Sequence, residues 1–158
     1  MKRVFSILLL AILFSAPVSA DSYDTTQKFY DWFLQSNDHY RKNFSEARPL
    51  FTPELYDLLT EAFGKQPDDG WWLDFDPFSN SQMGLQSASV GKPKVLGADL
   101  AMVPVTPIYG RGGDSNYEGD IIKVYLKKDG SDWKIANMAY GGDYPFELKT
   151  YLKDGLGK

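Results

Sequence analysis

The 158-residue chain contains no cysteine. That absence excludes disulfides, thiol nucleophiles and thiolate metal sites together. Stability in an oxidising compartment would then rest on packing, which an aromatic content of 15% suits. The chain also lacks internal repeats, low-complexity tracts and any interdomain linker. It has one long apolar run, Val4 to Phe14, broken only by Ser6 and closed by Pro17. A membrane span needs about 20 apolar residues, so this run is too short to be one.

The run reads instead as the core of a secretory leader. Lys2 and Arg3 precede it, a small, turn-prone stretch follows, and Val18-Ser19-Ala20 has the spacing a signal peptidase reads. Residues 1–20 are thus expected to be a signal peptide cut after Ala20, leaving a single domain of 138 residues, 21–158, in the periplasm or secreted. No cysteine follows the apolar core, so a lipid tether is not expected, and after cleavage no membrane anchor remains. Losing Lys2 and Arg3 leaves fifteen basic against twenty-one acidic residues, a formal charge of −6. Nucleic acid and anionic lipid both demand a basic patch, so this balance argues against them and is compatible with a cationic partner.

Periodicity divides the mature chain. Asp24-Thr25-Thr26-Gln27 resembles a capping box, and Phe29, Trp32, Phe33, Tyr40 and Phe44 recur at near-helical spacing, predicting a helix over about 25–37. Thr52-Pro53-Glu54 is a stronger start: a capping hydroxyl, proline at the first helical position, then an acid near the positive dipole end. Leu55, Leu58, Leu59, Ala62 and Phe63 follow on one face and Gly64 supplies the stop. Residues 65–84 have no clear period but are rich in Trp and Phe, which points to an ordered loop. Four strands are then expected, over 87–90, 100–108, 118–127 and 133–140, with Lys128-Asp129-Gly130-Ser131 as a hairpin turn. Pro104 favours an edge or a bulge in the second. Asp143-Tyr144-Pro145 is expected to open a short C-terminal helix through Leu152, ended by Gly155. Helices followed by antiparallel strands make an α+β domain.

Three segments carry a resemblance: Phe29-Tyr30-Asp31-Trp32-Phe33, Asp74-Phe75-Asp76-Pro77-Phe78, and Trp133 through Tyr140. Together they resemble a bacterial family of exported domains of unknown function with a nuclear-transport-factor-2-like (cystatin-like) fold. The resemblance implies N-terminal helices on a curved antiparallel sheet of about four strands. It also implies a cone in which related proteins bind small molecules or perform lyase and isomerase chemistry. It supplies no reaction.

Candidate site residues follow from the same segments. Asp74 and Asp76, two apart on an extended stretch, would share one side, where paired carboxylates can share a proton, hold a cation or grip a basic partner. Trp71, Trp72 and Phe78 would wall that pocket. The alternative is that the aromatics plug the cone while the aspartates cap turns before Pro77. Asn137 is expected on the face of Trp133 and Ile135, where its amide needs a partner, as a backbone clamp or as a ligand contact. Tyr30, Tyr125 and Tyr140 are candidate pocket hydroxyls. Asp114, Asn116, Glu118 and Asp120 alternate like the start of a calcium loop, but Tyr125 stands where the bidentate glutamate belongs, so no metal is expected. His39, the only histidine, is expected to face solvent near a helix end.

No nucleophile with a base at hand can be read, and no cofactor is implied. The leading expectation is a non-enzymatic binding or interaction protein, a monomer or homodimer. Its partner would be a small amphipathic molecule or a basic protein. The alternatives are a lyase or isomerase using Asp or Tyr in the cone, and a structural envelope component.

Overall fold

The computed structural model describes residues 18–65, 73–111 and 115–158. Helix α1 spans Val18–Ser36, and 3-10 turns at Asn37–His39 and Phe44–Leu50 lead to α2, Pro53–Gly64. Seven strands follow: β1 Leu85–Val90, β2 Lys94–Val95, β3 Leu100–Arg111, β4 Ser115–Glu118, β5 Ile122–Asp129, β6 Asp132–Tyr140 and β7 Phe146–Glu147. Helix α3, Leu148–Leu156, ends the chain. All strand pairs are antiparallel, in the order β1-β3-β5-β6-β7, with β2 and β4 also on β3. The α+β class is as expected, but the sheet has seven strands rather than about four, and the helices are arranged differently.

Helix α2 begins and ends where its residues dictate, with Thr52 extended before Pro53 and Gly64 last. Helix α1 does not. It is already helical at Val18, the first described residue, so Thr25 and Thr26 lie inside it, and their hydroxyls donate to the carbonyls of Asp21 (3.1 Å) and Ser22 (2.9 Å), four residues back. The C-terminal helix also starts later than expected. Tyr140 and Ala139 draw Phe146 and Glu147 into the sheet first, and the left-handed cap is Gly157, not Gly155. Pairing to β3 splits the expected strand over 118–127 into β4, against 108–111, and β5, against 100–105.

Pro104 lies in the middle of the longest strand, not at an edge. It faces the gap between β1 and β2, where its carbonyl accepts from Gly91 N at 2.8 Å and no ladder donor is required. The β5–β6 hairpin turns at Gly130, whose φ of +63° suits glycine.

Helices and sheet bury one shared core. Ala101, Val103 and Val105 of β3 lie beside Ile122, Val124 and Leu126 of β5, then Trp133, Ile135, Met138 and Tyr140 of β6. Phe29, Tyr30 and Phe33 of α1, Leu55, Leu58, Leu59 and Ala62 of α2, and Leu148 and Leu152 of α3 complete it. The buried row on β6 passes from odd to even positions because a bulge leaves Ala136 unpaired between Ile135 and Asn137. Among the described residues no helix is long and apolar enough to cross a membrane.

Candidate functional site

The loop before β1 folds into the core as a tight turn. Asp76 builds it: its backbone N donates to Ser81 O (2.9 Å) and its O accepts from Asn80 N (2.8 Å). Its carboxylate accepts from Phe78 N and from Ser79 Oγ, each at 2.9 Å. An aspartate bonding the amide two residues on is an Asx turn, and Pro77 suits the next position. Phe78 is thereby driven fully inside, where its ring meets those of Phe29 (4.9 Å), Phe33, Tyr40, Phe44, Phe51 and Phe63.

Three tyrosines hold this turn from outside it. Tyr140 of β6 donates to Pro77 O, Tyr30 of α1 to Phe78 O (3.0 Å) and Tyr109 of β3 to Ser79 O. Three consecutive buried carbonyls, which would otherwise be unsatisfied, are each satisfied by a phenol. A fourth, Tyr40, accepts from Arg41 Nε at 3.0 Å, and Arg41 Nη2 reaches the carbonyls of Leu73 and Phe75 at 3.3 Å.

Burial pushes the Asp76 carboxyl up to about 6, against the donors Phe78 N and Ser79 Oγ and the Arg41 charge, which pull it down. Burial and the Asp76 charge push Tyr40 and Tyr109 to about 12, and burial raises Tyr30 and Tyr140 well above the usual phenol value. The phenols of Tyr30, Tyr109 and Tyr140 therefore keep the protons they donate throughout the ordinary pH range. The access to Asp76 is a cleft of about 50 Å³ beside Asp38, Tyr40 and Leu85. That is room for a few water molecules and far below the roughly 300 Å³ of an ordinary ligand site. Larger hollows among the described residues lie elsewhere: about 380 Å³ between α1 and the β5–β6 hairpin, near Asp24, Lys28, Asp132 and Lys134, and two of about 340 Å³ beside Tyr56.

The expected carboxylate pair does not form. Asp76 turns inward while Asp74 is exposed, and Phe75 between them packs on Phe146 and Tyr151. Trp71 and Trp72 lie outside the described residues, as does Asp114. Asn116 and Glu118 belong to strand β4, whose extended backbone cannot wrap an ion, and the described residues contain no group of three acidic or histidine side chains that could hold a metal. His39 is exposed.

Asn137 is not on the face of Trp133 and Ile135, because the bulge at Ala136 shifts the phase and gives that face to Met138. Its Oδ1 accepts from Met138 N (2.9 Å) and from Lys149 N (3.0 Å) in the first turn of α3, and its Nδ2 donates to Glu147 (3.0 Å). Tyr125 pairs with Met102 and Asn137 on the other side of the sheet from the core row. The sequence placed Tyr40 only in a helical spacing and gave no sign of Arg41, Ser79 or Tyr109 at the site. Only the Asp-Pro-Phe-Ser turn signal pointed toward them. Comparison with family models, with curated proteins and with solved structures found no match for this chain.

Proposed function

We propose that the chain is an exported, non-enzymatic binding or interaction protein on a nuclear-transport-factor-2-like (cystatin-like) frame, which meets its partner with its outer surface. One observation carries the reading: the interior that a small ligand would need is occupied by Phe78 and its ring neighbours. The hydroxyls of Tyr30, Tyr109 and Tyr140 are committed to loop carbonyls, and Asp76 to the turn it builds. Ligand sites are usually preformed hollows of about 300 Å³ or more, and the cleft at Asp76 is far smaller. The lyase or isomerase alternative would use Asp76 with Tyr40, and needs that cleft to open.

A side-chain NMR titration with small amphipathic probes tests the reading. Resonances of Tyr30, Tyr109 and Tyr140 should stay fixed while surface resonances respond. Slow-exchange shifts at those three tyrosines would refute the proposal in favour of the enzymatic alternative. The exposed Asp74 remains available to a basic partner. Asp74→Ala alone tests that contact, because altering Asp76 would disturb the turn as well.

A further inference from the structure

Positive charge is unevenly spread over this acidic protein. Lys92, Lys94, Lys127 and Lys128 are all exposed near one corner of the sheet and form no ion pair among the described residues. The lysines of the C-terminal segment differ: Lys149 and Lys153 grip Glu54 at 2.5 and 2.7 Å, and Lys158 pairs with Glu61.

Three segments build the corner. Strand β2 sets Lys94 opposite Met102 and Val95 opposite Ala101. The loop between β2 and β3 closes on itself, Leu96 N and Gly97 N both donating to Leu100 O at 2.9 and 3.1 Å. The end of β5 lies alongside, with Lys127 opposite Leu100 and Lys128 N donating to Asp99 O at 2.9 Å. At this tip Val95 is 55% exposed, Leu96 51% and Leu100 36%. Asp99 is the only acid in the loop. Single exposed apolar residues are ordinary. Three at one strand-to-strand connection, beside four lysines without an ion pair among the described residues, are the kind of patch that interaction surfaces carry.

We propose that this corner docks on an anionic lipid surface, with Val95, Leu96 and Leu100 entering the interfacial layer and the four lysines meeting headgroup phosphates. Lysine stems are long enough to leave their charges at phosphate level while the loop dips below it. A protein partner fits less well, since a six-residue tip is small against the roughly 1,200 Å² that stable protein interfaces bury. The negative net charge does not forbid this contact. Beyond a Debye length of about 8 Å the rest of the protein is screened, and the local patch decides. This inference goes beyond the interaction reading and does not depend on it.

Co-sedimentation with phosphatidylcholine vesicles, with and without phosphatidylglycerol, tests the proposal. The chain from Asp21 onward serves, since it keeps every core residue among those described, and circular dichroism verifies its folding. Binding should require phosphatidylglycerol and fall as salt rises. Each lysine near such a surface is worth about fivefold in partitioning. Lys94→Glu with Lys127→Glu should therefore weaken binding by at least about twenty-five-fold, with the unfolding temperature unchanged. Leu96→Ser should weaken it about tenfold by removing apolar insertion. Failure to bind at low salt, equal binding to both vesicles, or indifference to the lysine pair overturns the proposal. Loss with the lysine pair but no effect of Leu96→Ser overturns it too, since that pattern describes a general polyanion contact.

Discussion

Asp76 should make the protein gain stability on mild acidification. A carboxyl that titrates near 3.8 in the unfolded chain and near 6 in the native turn binds its proton more tightly when folded. Its ionisation at neutral pH therefore costs native stability, and that cost disappears as pH falls through 6 toward 3.8. The full shift corresponds to about 3 kcal/mol at 1.36 kcal/mol per unit. Partial solvent access reduces that figure, and between pH 7.5 and 4.5 about 2 kcal/mol of it is recovered. Urea unfolding of wild type and Asp76→Asn across this range isolates the effect. Asparagine keeps an acceptor for Phe78 N but never ionises, and all other titrating groups cancel in the difference. Wild type should gain about 2 kcal/mol on the variant between the two pH values. A gap constant to within about 0.5 kcal/mol would show that Asp76 is well solvated in the native state, and the account of its burial would be wrong.

Three further outcomes follow from contacts described above. Phe78→Ala should cost about 3–5 kcal/mol in urea unfolding and leave a cavity that takes up benzene, measured by a ligand-dependent rise in unfolding temperature that wild type does not show. Gly91→Ala should lose about 1–3 kcal/mol, because the new Cβ would lie 2.9 Å from Pro104 Cγ and 3.0 Å from its carbonyl oxygen, and the unfolding midpoint reads the loss. Asn137→Ala removes the acceptor shared by Met138 N and Lys149 N. It should cost about 1–2 kcal/mol, with faster amide exchange at Lys149 than elsewhere in α3.

Local signals were legible where the interaction that decides the conformation is itself local. Pro53 opens α2 because its fixed φ suits the first helical turn, although the Thr52 hydroxyl makes no cap bond, and Gly130 turns the β5–β6 hairpin because its positive φ is a local property too. The short strands β2, β4 and β7 carry too few residues to show a period, and exist because β3 and β6 offer them an edge. The bulge at Ala136 was invisible, and it reversed the side on which Asn137 was expected. Asp74 and Asp76 look equivalent two residues apart, yet the inner one is selected by Phe78 N and by tyrosines from distant segments. The lysine corner was hidden by net charge, since Lys94 and Lys127 are brought together only through β3.

The tyrosine contacts bear on how the molecule comes apart. Pro77, Phe78 and Ser79 are held by phenols from α1, β3 and β6, which stand near the beginning, the middle and the end of the chain. A surface loop ordinarily opens alone, long before the domain unfolds. This one cannot leave without uncoupling helix from sheet at three points at once. Residues 77–79 are thereby tied to the cooperative unit, and their amides should exchange with global unfolding rather than by local opening.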